Sequence, residues 1–243
     1  MVIVRHFSGS VKDYLVASQT PGGVFALPDR CPHPDCQARQ SLIRWGTYQR
    51  GAATGECDYR LRIQRVRCKV CGRTHSLLPD FLHPHRHYVI SLLQYVVALY
   101  ILMGLGWRRL RRRLPRQGPA LSTVREWVTS FGYGAGHLLL SALLRYLLAL
   151  DPDATPPDAP DHLHRVSDSA QRRRLGQAHA FWHLAERLYA QVKTRRPRLH
   201  FTAGQLFPFL LHWCQQQRFP ARLLWWPLLA TTPTEPFGAA AGA

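Results

Sequence analysis

Cysteine is the residue type in this chain whose spacing carries the most chemistry. There are six, at positions 31, 36, 57, 68, 71 and 214. Two bound the stretch Cys31-Pro32-His33-Pro34-Asp35-Cys36, and two more belong to the tight turn Cys68-Lys69-Val70-Cys71-Gly72. Zinc takes four thiolate or imidazole ligands in a tetrahedron, so two cysteine pairs, each presented from one turn, suit a structural zinc site. Gly72 fits the exit from the second turn because glycine adopts positive φ without a Cβ clash. The predicted ligands are Cys31, Cys36, Cys68 and Cys71. His33 is an alternative to Cys36, ranked behind it because Cys-x-His is a tight spacing for a tetrahedral site. Four thiolates close the coordination sphere and leave no open position for catalysis. Cys57 has no partner at ligand spacing and is expected to be a buried free thiol.

The other reactive residue types are less well grouped. His179 and His183 stand one helical turn apart without an evident third ligand. His83, His85 and His87 form a basic loop of the kind found near phosphate. His212 and Cys214, two residues apart on a predicted helix, point away from each other. Beyond residue 131 the acids are Asp151, Asp153, Asp158, Asp161, Asp168, Glu186 and Glu235, and four of these seven fall in a proline-rich stretch. The three carboxylates that hold two metal ions in a common transposase nuclease are therefore not apparent. No glycine-rich phosphate loop occurs either. The sequence points to a protein that is not an enzyme.

Charge supplies the partner. Lys and Arg number 32 against 14 Asp and Glu, for a net charge of +18. A GC-rich genome explains why arginine outnumbers lysine, but not why acids are scarce. Such a charge calls for a polyanion, and double-stranded DNA is the expected one; a basic surface alone does not choose between DNA and RNA. Arg60, Arg62, Arg65 and Arg67 share one predicted strand and are expected to lie along phosphates. A second cluster, Arg108, Arg109, Arg111, Arg112 and Arg113, surrounds an apolar stripe of Trp107, Leu110 and Leu114.

The elements that must position these residues follow from periodicity and punctuation. Residues 1–29 form a mixed lead-in. Residues 30–80 form the ribbon, with one extended run from Leu42 to Tyr48, a second from Tyr59 to Arg67, and a bulge near Val66 where the alternation slips. Helical segments follow at about 88–103, 106–114 and 122–131, which makes 81–131 a helix-turn-helix. Residues 132–150 hold a core helix, 151–161 a Pro/Asp linker, 162–230 a C-terminal helical region, and 231–243 a disordered tail. The expected fold class is mainly α with a small antiparallel β zinc ribbon. Thr123 and Glu126 fit a capping box at the start of the third helix. In a helix-turn-helix that helix enters the major groove by its N-terminal end, so Ser122, Thr123, Arg125 and Thr129 are the candidate base and phosphate contacts. The arginines of the preceding helix would hold the backbone. Ser169 to Arg196 reads as one long helix with an apolar seam at Leu175, Ala178, Trp182, Ala185, Tyr189 and Val192. That seam serves packing within the chain, or self-association and a protein partner.

Residues 88–106 run for nineteen positions without a charge, which makes a membrane-anchored zinc protein the alternative reading. Ser91, Gln94, Gly104 and Gly106 oppose it. The first ten residues lack the apolar core of a signal peptide, and the expected location is cytoplasmic, at the nucleoid.

Residues 30–131 resemble the zinc-ribbon plus helix-turn-helix front ends of bacterial insertion-sequence transposases. The residues that carry this are Cys31-Pro32, Gly46-Thr47-Tyr48-Gln49-Arg50, Arg65-Val66-Arg67-Cys68-Lys69-Val70-Cys71-Gly72 and Leu78-Pro79. They look like the pattern of an uncharacterised bacterial family associated with mobile elements. The resemblance implies zinc and DNA binding in a transposition setting, as an accessory factor or regulator. A remnant or divergent transposase is the further alternative. It implies nothing about residues 132–243.

Overall fold

The alternating runs around the cysteines become the two long strands β2 (Leu42–Ala53) and β3 (Asp58–Cys68), paired antiparallel. A third strand, β4 (Thr74–Pro79), returns antiparallel along the other side of β3. The computed structural model describes residues 2–216, apart from 85, 116, 117, 135, 136 and 156 and the side chains of 129, 130, 132–134, 137–139 and 203.

The sheet is not purely antiparallel. Residues expected to form a lead-in supply its fourth strand, β1 (Val2–Arg5), which runs parallel to β4 and gives the order β1-β4-β3-β2. Parallel strands need a long crossover, and this one includes the short helix α1 (Val11–Ala17). Ser10 caps that helix and exchanges hydrogen bonds with Asp13. Tyr14 of α1 is fully buried over β3, where it meets Phe7, Phe25 and Phe81.

The predicted bulge lies on the neighbouring strand. Arg44 pairs with Val66 and Thr47 with Gln64, so Trp45 and Gly46 together face the single residue Arg65. Gly46 absorbs the extra residue at φ +101°. The alternation of β3 itself continues, and its apparent slip has another cause. Leu61 and Ile63 are buried on one face, while Gln64, Val66 and Cys68 are buried on the other. The two ends of the strand thus cover opposite sides of the sheet.

Six further helices follow: α2 (Ile90–Ile101), α3 (Trp107–Arg113), α4 (Leu121–Gly134), α5 (His137–Leu150), α6 (Ser169–Arg195) and α7 (Leu206–Gln216). With 46% of the described residues helical beside a four-stranded sheet, the fold is helix-rich, and the sheet is larger than a ribbon alone. α2 has 12 residues and is about 18 Å long, against about 30 Å of bilayer hydrocarbon. No helix of the described residues is long and apolar enough to cross a membrane. Gln94 has a packing role: its amide accepts from Phe207 N and donates to Gly204 O, fixing the start of α7.

α4 begins earlier than its predicted capping box. The carbonyl of Ala120 takes the first helical hydrogen bond from Val124 N, so Thr123 lies inside the first turn and does not cap it. Glu126 pairs instead with Arg86. Phe131 of α4 meets Phe181 and Trp182 of α6 and stacks on Phe207 of α7. α6 turns its apolar seam into this core, with Leu175, Ala178, Trp182 and Ala185 buried. α5 is amphipathic: Leu143 and Leu147 are buried, and Arg145, Tyr146 and Leu148 face solvent. α7 then closes on the sheet edge, where the Gln215 amide accepts from Val4 N at 2.6 Å and donates to Val4 O at 3.3 Å. The predicted tail, 231–243, lies outside the described residues.

Candidate metal centre and basic surface

The hairpin, the turn after β3 and the loop before β2 bring Cys31, Cys36, Cys68 and Cys71 together, with all four sulfurs within 4.8 Å of one another. Cys31 Sγ lies 3.8 Å from Cys71 Sγ, and Cys36 Sγ lies 3.7 Å from Cys68 Sγ. Four sulfurs about 2.3 Å from one ion at tetrahedral angles stand about 3.8 Å apart. The cluster therefore has the donor set and edge lengths to hold a metal ion.

Each cysteine pair leaves its turn through a left-handed residue: Gly72 at φ +71°, and Gln37 at φ +48° in the equivalent place after Cys36. These turns aim backbone N–H groups at sulfur. The His33 amide faces Cys31 and the Ala38 amide faces Cys36. Cys68 is held down to about 6 by the Ser41 hydroxyl and by the amides of Cys71 and Val70. Burial pushes Cys31 up to about 12, a cost that bound metal would remove by taking the thiolate directly. His75, on β4, is buried with its Nε2 3.6 Å from Cys31 Sγ. It is placed to donate an N–H to the thiolate, the outer contact that orients a metal ligand. The sequence reading missed His75, and strand alternation from Cys68 across the β3–β4 pairing could have found it.

His33 contributes its backbone while its ring stands 3.8 Å from Asp35, so Cys36 is the residue in the cluster. Cys57 is exposed, contrary to the expected buried thiol. It sits in the turn between β2 and β3, where Thr54 bonds its backbone and its exposed side chain lies beside Tyr59. Among the three loop histidines, His83 is buried and His87 exposed, and His85 lies outside the described residues. The Arg50 guanidinium fastens this loop through the carbonyls of His83, Pro84 and Arg86. His83 is therefore core and unavailable to phosphate. Cys214 is buried, and His212 turns to Asp80.

The basic candidates divide into two surfaces. The strand arginines do not share a face. The odd interval between Arg62 and Arg65 on an unbulged strand sends Arg60 and Arg62 to one side, Arg65 and Arg67 to the other. Arg62 donates to Thr47 across the pair at 2.9 Å. On the opposite side Arg67 stacks over Trp45 at 4.6 Å and donates to Gly72 O. On α3, by contrast, Arg108, Arg109, Arg111, Arg112 and Arg113 are all exposed, while Leu110 is buried. Among the described residues none of these five is paired with a carboxylate, whereas Arg86 and Arg187 are. Ser122 and Arg125 of α4 are also exposed, and Thr123 is half-buried. The Thr129 side chain lies outside the described residues. Arg125 sits over the Trp107 ring at 5.2 Å. With Arg108, Arg111, Arg112 and Leu121, these two residues line an open hollow of about 450 Å³.

Residues 31–100 match a domain of unknown function, DUF6431. The match starts on the first cluster cysteine, encloses all four, and ends in α2 before the polybasic helix. No curated protein and no solved structure matches the chain.

Proposed function

We propose that this protein binds nucleic acid, double-stranded DNA in the first place, with a zinc ion in the four-cysteine cluster as a structural element. The observation that carries this reading is the hollow between α3 and α4. It combines exposed arginines that pair with no carboxylate among the described residues, an aromatic face and the exposed start of a second helix. Arginines along α3 suit backbone phosphates, and Ser122 and Arg125 at the first turn of α4 stand where a helix-turn-helix reads base edges. Zinc is the preferred ion because four thiolates select a soft, tetrahedral site, and a closed site of this kind stabilises a fold without catalysing a reaction.

On this reading the chain is a DNA-docking factor or regulator without a nuclease centre of its own. The mobile-element setting rests only on the resemblance of residues 30–131. The test is binding of the zinc-loaded full chain to random duplex DNA across a salt series, with duplex RNA in parallel. Tight binding that weakens steeply with salt and prefers DNA supports the proposal. A zinc-loaded, folded protein that ignores DNA at low salt overturns it, and a preference for RNA moves the surface to a different partner.

A further inference from the structure

The helical region holds a histidine cluster that the function above does not use. His179 and His183 lie one turn apart on α6, and the structure places their Nε2 atoms 3.1 Å from each other. Two imidazole nitrogens about 2.1 Å from a shared ion would subtend about 95° at that distance, between octahedral and tetrahedral angles. The same spacing suits a single N–H···N hydrogen bond, so the surroundings must decide.

Three features favour an ion. Glu186 Oε2 lies 3.3 Å from His183 Nδ1. The other oxygen of that carboxylate accepts from Trp182 Nε1 at 2.8 Å, which fixes its position. A carboxylate there selects the tautomer with the proton on Nδ1, leaving the Nε2 lone pair of His183 directed at His179. His179 is only 8% exposed, and its ring centroid lies 4.4 Å from that of His183. Finally, Nε2 of the neighbouring His162 is buried without a hydrogen-bond partner among the described residues. Buried ring nitrogens left unpaired call for a water or an ion.

We propose that His179 and His183 form a second metal site, separate from the cysteines, for a borderline divalent ion such as Zn2+, Ni2+ or Cu2+. Imidazole donors select this class over Mg2+ or Ca2+. His183, with its side chain 39% exposed, provides the way in. His162 completes the neighbourhood from the 3-10 turn Asp161–Arg165, its ring packed against Gly104 between α2 and α3.

The experiment is calorimetric titration of Ni2+ into the full chain after its cysteine cluster has been filled with one equivalent of zinc. The wild-type chain should take up one further equivalent. His183→Ala, at a partly exposed position, should lose that equivalent while keeping its zinc and its circular dichroism. Glu186→Gln, which alters only the orienting contact, should weaken binding by about ten-fold. A wild-type chain that takes no further equivalent overturns the proposal. So does a His183→Ala chain that binds Ni2+ as well as the wild type.

Discussion

The cysteine end of the sheet and the helical region are built from different materials. Around the cysteines the buried residues are modest in size, among them Leu42, Val66 and Leu77, and the surface exposes Trp45 at 48% and Val70 at 70%. Among α4, α6 and α7, large rings interlock: Phe131, Phe181, Trp182 and Phe207 are all buried and in mutual contact. With a metal in the cysteine cluster, as proposed, one region would depend on ligand bonds and could leave large side chains on its surface. The other depends on apolar burial. The difference teaches that a small sheet end can spend little sequence on a core when four thiolates share one ion.

The strongest challenge to that contrast is removal of a ligand. Cys68→Ser should abolish stoichiometric metal binding and remove stabilisation on the order of 10 kcal/mol from the sheet end. Amide exchange should then rise across β2–β4 while the amides of α4 and α6 remain protected. Equal loss of protection in both regions would show that the metal holds the whole molecule.

The converse change tests the other side. Phe181→Ala empties a fully buried site facing Phe131 and should cost about 3–5 kcal/mol. Thermal unfolding would report it, and metal content measured on the folded protein should stay the same. A chain that lost its metal as well would break the comparison from the helical side.

The proposed function divides along the same line. Replacing Arg108 and Arg112 together by alanine should lower the slope of log affinity against log salt by about 2, the loss of roughly two phosphate contacts. Arg60→Ala with Arg62→Ala, on the sheet, should change it less. The reverse order would place the nucleic-acid surface on the sheet and leave the hollow without that role.

The smallest effect belongs to the cap that joins the sheet to its crossover. Hydrogen bonds from the Ser10 backbone and hydroxyl hold Asp13 below the ordinary carboxylate value. A depressed carboxylate adds stability above its unfolded pKa and loses that contribution as pH falls through its folded pKa. Ser10→Ala should therefore lower the melting temperature slightly near neutral pH, and the difference should shrink in acid. A difference that stayed constant with pH would assign the effect to the helix cap alone.

Much of the candidate site was legible because its signals are local. Cys31, Cys36, Cys68 and Cys71 announced themselves by donor type and turn spacing, and Leu110, Val124, Trp127 and Phe131 by helical period; all four apolar positions are buried. The readings that needed correction involved partners distant in sequence. Cys57 looked like core until the β2–β3 turn left it outside, and Glu126 looked like a cap until Arg86 reached it. The face assignment of Arg60 and Arg65 was present in the strand period, but only the registers against β2 and β4 together show that no bulge on β3 restores them to one side.

Sequence alone determined the four-cysteine set, the order of the helices that follow the sheet and the excess of positive charge, since each depends on residue type and short-range periodicity. Tertiary structure decided the rest. Val2–Arg5 is apolar enough for several fates, and only the open edge of β4 makes it a parallel strand. Asp80 becomes a junction because folding brings His6, 2.7 Å away, and His212, 3.3 Å away, to one carboxylate oxygen. His179 and His183 were a helical pair by spacing alone. Their closeness, burial and orienting carboxylate come from packing, because hydrogen-bond geometry and desolvation depend on neighbours that chain order does not reveal.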